Sequence, residues 1–97
     1  MASWRTRTAA ILAARERALE GRAQQIARCF ASVPKRFRPE AVELTFAVDG
    51  AGKPGVVRVE TPGLARTPLA RCLITASKGV RFEGTGAQEI FSLEVSP

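Results

Sequence analysis

Cys29 and Cys72 are the residues best placed for chemistry in this chain, and the chemistry open to them is narrow. There is no histidine and no third cysteine, so neither thiol has the company that a zinc site needs. Nor do they form a C-x-x-C redox pair. Each falls on an apolar stripe of helical spacing, one on either side of a strand hairpin. Two lone thiols on two apolar helix faces fit a single disulfide between packed helices; two separate buried cysteines are the alternative. A disulfide implies an oxidising compartment, and closing so long a loop stabilises the fold by roughly 4 kcal/mol in the chain-entropy picture.

Other catalytic chemistry is poorly served. Without histidine there is no imidazole base and no conventional triad. Glu60 and Glu94 could be paired as carboxylates, but both sit at outward strand positions and read better as solvated side chains. Gly50, Gly52 and Gly55 lack the G-K-[ST] ending of a phosphate loop and lie inside a hairpin, so they read as a turn. We therefore expect no enzyme, no cofactor and no metal site.

These residues need positioning elements, and the patterning supplies five. Residues 4–31 read as one alanine- and arginine-rich helix. Its stripe runs through Leu12, Leu19 and Ile26, joined by Ala9, Ala23, Cys29 and Phe30; Gly21 weakens it and Pro34 follows its end. Residues 42–49 alternate Val42, Leu44, Phe46 and Val48 with Glu43, Thr45 and Ala47, the pattern of a half-buried strand. After the glycine-rich turn 49–55, residues 56–60 return with Val57 and Val59 inward. Thr67 and Pro68 open a second helix, 67–77, with Leu69, Cys72, Leu73 and Ala76 on one face and Gly79 as C-cap. Residues 80–87 read as a loop, and Ile90 to Val95 as a closing strand with Phe91, Leu93 and Val95 on one side.

The expected fold class is α+β: a long N-terminal helix, then β-β-α-β, with a three-stranded sheet covered on one face by two helices. The first strand is central and the other two are edges. A helical crossover between the second and third strands favours a parallel, right-handed connection. The core is expected at Val42, Leu44, Phe46, Val48, Val57, Val59, Leu69, Leu73, Phe91 and Leu93.

Length allows one domain of 97 residues. Net charge is +6, unevenly placed: residues 1–38 hold nine Lys/Arg against Glu16 and Glu20, whereas residues 39–97 are nearly neutral. A solvated helix face with a basic loop, Lys35 to Arg38, explains this simply. A surface for nucleic acid is the sharper reading, although Trp4 and Phe37 make a thin stacking platform. Such binding would be weak, salt-sensitive and indifferent to sequence. No apolar run approaches the ~20 residues of a membrane span, and residues 1–10 lack the apolar stretch of a signal peptide. With a disulfide, this suggests a piece of a larger exported protein, with Met1-Ala2-Ser3 as an added start. Residues 1–21 then read as a linker, a projecting helix or a self-association surface through Leu12 and Leu19.

Several runs together resemble a known family. They are Ile26-Ala27-Arg28-Cys29-Phe30, Val42 to Val48, Gly52-Lys53, Val57-Arg58-Val59, Leu69-Ala70-Arg71-Cys72-Leu73 and Val80-Arg81-Phe82. Over residues 22–97 the chain is similar to the TonB C-terminal-domain-like family, in the AgmX/PglI type of gliding myxobacteria. The closing strand departs from that pattern, reading Phe91-Ser92-Leu93 where the family has Tyr-Pro. The resemblance implies the periplasmic end of an inner-membrane-anchored protein that carries motion or energy across the envelope. By the same resemblance, an outer-membrane or envelope peptide would add as a strand beside Ile90, Phe91, Ser92, Leu93, Glu94 and Val95. A homodimer through that edge is a second possibility, and no membrane insertion of this fragment is implied.

Overall fold

The computed structural model describes the backbone from Trp4 and the side chains from Ala10. Met1-Ala2-Ser3 and the side chains of Trp4 and Ala9 lie outside the described residues. The fold is α+β, with three helices and a three-stranded antiparallel sheet. In chain order the elements are α1 (Trp4–Glu20), α2 (Ala23–Ala31), a 3-10 turn (Lys35–Phe37), β1 (Val42–Val48), β2 (Pro54–Val59), α3 (Pro68–Lys78) and β3 (Glu89–Val95).

The single helix expected over 4–31 is two helices. Gly21 and Arg22 donate to Ala18 O at 3.2 Å and Leu19 O at 2.9 Å, the tighter three-residue spacing that ends an α-helix. The break also frees Arg22 for another task. Its Nε donates to Ala76 O at 3.1 Å, placing a cation on the carbonyl end of α3. Gly79 C-caps α3 with φ −81°, so it is not there for a left-handed turn. A Cβ on Gly79 would lie 2.7 Å from the Arg22 guanidinium carbon, and the small residue makes room for that cap.

At the other end of α3 the expected N-cap is present. Thr67 Oγ1 accepts from the Ala70 N–H at 3.2 Å, and Pro68 begins the helix. The apolar face is shifted, however. Leu69, Ala70, Leu73, Ala76 and Ser77 are buried, while Cys72 is exposed.

The strand order is β2-β1-β3, and both neighbours run antiparallel to β1. β2 and β3 therefore run the same way on either side of β1, with α3 as the crossover. Val42, Leu44, Phe46 and Val48 of β1 point into the core beneath α2 and α3, which supply Ile26, Cys29, Phe30, Leu69 and Leu73. Nine of the ten residues expected in the core are buried; the tenth, Phe91, is half-buried and packs against it.

The segment 80–87 is a loop whose apolar residues belong to the core. Val80 and Phe82 are buried, and Phe82 meets Phe46 and Phe91 at 5.2 and 5.0 Å between ring centroids. Two backbone bonds hold it against the hairpin turn: Phe82 N–H to Gly52 O and Gly86 N–H to Gly50 O, both 3.0 Å. Gly52 has φ +86°, and a Cβ there would collide with Phe82 O, so this position requires glycine.

Candidate functional site

β3 is an edge strand, and the direction of its backbone groups follows from the pairing. Glu60 N–H donates to Glu43 O at 2.9 Å, and Asp49 N–H to Lys53 O at 3.0 Å. Odd-numbered residues of β1 thus turn their peptide groups toward β2, and even-numbered ones toward β3. In register, Leu44 and Phe46 exchange bonds with Leu93 and Phe91. The same alternation points the N–H and C=O groups of Ile90, Ser92 and Glu94 away from the sheet. Among the described residues these groups are unpaired, and such a row of donors and acceptors is a template for another strand.

A groove runs beside this edge. One wall is Ser92–Ser96, and the other is the face of α1 and α2 that carries Leu12, Leu19, Ala23 and Ile26. Leu19 and Ile26 are buried in the core, whereas Leu12 stays 45% exposed where the groove opens. Leu19 is therefore committed within the chain and not to a partner helix.

Arg15 ties α1 to β3 next to the groove. Its Nη2 donates to Glu89 Oε2 at 2.7 Å, and its guanidinium carbon lies 3.9 Å from the Phe91 ring centroid. Both partners are on β3, so one side chain fixes α1 against the edge strand. α1 is thus tied to the domain at this point. Arg15 is one of nine cations in residues 1–38, and nothing in its local sequence pattern marks it; only the strand brought beside α1 does so.

Away from the edge, the open face of the sheet is arranged in rows. Val56, Ala47 and Ile90 lie side by side across the three strands, with Val56 52% and Ile90 76% exposed. The next row holds Arg58, Thr45 and Ser92, where Thr45 Oγ1 and Ser92 Oγ lie 3.0 Å apart. Glu43 and Glu94 face each other further on, with Glu60 following Val59 on the far side. Glu60 and Glu94 are both exposed, and no group of three metal-ligating side chains stands together among the described residues.

Cys29 and Cys72 form a disulfide with 5.6 Å between their Cα atoms. It ties α2 to α3. Cys29 is 1% exposed and belongs to the core, while Cys72 is exposed in a shallow surface depression that Arg28 and Arg71 also line. The disulfide lies in the helical layer, and neither cysteine lines the groove beside β3.

The basic loop is built differently from a binding platform. Arg38 turns inward and donates to Val33 O from Nε and Nη2. Phe37 is 67% exposed with Arg36 stacked 4.8 Å from its ring centroid. One aromatic capped by its own neighbour is a small stacking surface.

No helix among the described residues is long and apolar enough to cross a membrane. Comparisons with protein-family models, curated proteins and solved structures return no match for this chain.

Proposed function

We propose that this chain is a protein-interaction module that captures an extended peptide by strand addition to the free edge of β3. The observation that carries the reading is the outward row of Ile90, Ser92 and Glu94 peptide groups beside an open groove with an apolar floor. Main-chain bonds to those groups would give affinity, and alternate side chains entering the groove would give selectivity. The disulfide favours an oxidising compartment. Together with the resemblance to TonB C-terminal-like domains, this leads us to place the module in the periplasm, as part of an anchored envelope system that transmits energy or gliding motion.

Chemical-shift mapping with extended peptides tests the reading. Binding should shift the amide signals of Ile90, Ser92 and Glu94 before any others. Ser92→Pro removes one outward donor at an edge position that tolerates proline. It should abolish binding while leaving the melting temperature nearly unchanged. Shifts confined to α1 or to the Lys35–Arg38 loop would refute the reading and favour a basic surface for nucleic acid.

A further inference from the structure

The groove beside β3 carries a charge opposite to that of the chain. The molecule has 15 Lys/Arg against 9 acids, yet among the described residues no lysine or arginine lines this groove. Its charged residues are Glu16, Glu20 and Glu94. Glu16 and Glu20 are the only acids in the first 38 residues, and both turn toward β3. They stand four residues apart on α1, where like charges repel and weaken a helix slightly. Glu94 borders the groove from the strand side, with its peptide N–H and C=O pointing the same way. Glu16 and Glu20 share the helical side of the groove with the apolar floor of Leu12, Leu19 and Ile26, and the Glu94 side chain stands at the rim on the open face of the sheet.

Building on the strand-addition reading, we infer that the captured peptide is cationic: an extended segment alternating apolar residues with lysine or arginine. An added strand would lie about 4.8 Å from β3. One set of alternate side chains would then face the floor of the groove, and this set is apolar. The other set would face the open side of the sheet beside Glu94, and long cationic side chains from it would bend over the rim toward Glu16 and Glu20. A cation there relieves the repulsion between Glu16 and Glu20 and adds charge-assisted bonds at the rim. An acidic peptide meets three like charges and is rejected. Arg15 is no substitute for the partner's cation, because it is already engaged by Glu89 and Phe91.

The test uses the full chain and three synthetic peptides of one length that alternate valine with lysine, with serine or with glutamate. Affinities are read by fluorescence anisotropy at low and high salt, and the bound edge by amide shifts. The lysine peptide should bind at least about tenfold more tightly than the serine peptide. The gap should close as salt is raised. In the Glu16→Gln, Glu20→Gln, Glu94→Gln variant it should shrink below about twofold, with the serine peptide unaffected. Equal affinity for the lysine and serine peptides, both shifting Ile90, Ser92 and Glu94, would overturn the cationic inference and leave strand addition standing. Preference for the glutamate peptide, or lysine-peptide shifts elsewhere on the molecule, would overturn it as well. If no peptide shifts the β3 amides, strand addition itself fails, and the inference fails with it.

Discussion

The helical layer and the β3 flank both hold helices against the same sheet, by different means. In the helical layer, α2 and α3 are joined covalently through Cys29 and Cys72, and Arg22 crosses over to cap α3. On the β3 flank, α1 rests on one ion pair and one cation–π contact from Arg15, plus Leu19 in the core. The first arrangement fixes a closed interface. The second leaves a groove with free backbone groups along one wall. Covalent and capping contacts close the first region, and the sparser contacts of the second leave open the edge where the proposed partner strand would enter.

The largest effect should come from the centre that both flanks share. Phe46→Ala removes a fully buried ring that contacts Phe82 and, at 5.8 Å, Phe91. Denaturant unfolding should show a loss of about 3–5 kcal/mol. Replacing both Cys29 and Cys72 by serine should cost roughly 4 kcal/mol for a loop of 43-residue separation. If the flanks are as separate as their contacts suggest, peptide shifts at β3 persist in that variant wherever it remains folded. Losing both together would merge the two regions into one unit.

Smaller changes sharpen the contrast. Thr67→Ala removes the N-cap of α3 and should cost about 1 kcal/mol, with no change at the groove. Arg15→Met should cost less than about 1 kcal/mol, because Arg15 and Glu89 both remain partly in water. Its expected signature is faster amide exchange in α1, with α2 and α3 unaffected. Ser77 is buried, and its Oγ has no hydrogen-bond partner among the described residues. Ser77→Ala should be neutral or stabilising by up to about 1 kcal/mol, since it removes an unpaired polar atom from the core.

The amino-acid pattern by itself determined the local elements. Period-2 alternation marked β1 and β3, and Thr67-Pro68 marked the start of α3, because backbone geometry and capping act over a few neighbours. It also singled out Cys29 and Cys72 as a pair. The break after Glu20 was visible only as a weak glycine, and it became definite when Arg22 found the end of α3, 54 residues away. Val80 and Phe82 showed no periodicity, since their burial comes from bonds to the hairpin turn across the fold. The candidate site divides in the same way. The closing strand could be read from residues 90–95, but the groove could not. Its walls come from α1, α2 and β3, and its acidic lining joins Glu16 and Glu20, the two acids of a basic leading segment, to Glu94, at least 74 positions further along the chain. Tertiary structure decided that juxtaposition, because which charges share a surface depends on packing and not on order along the chain.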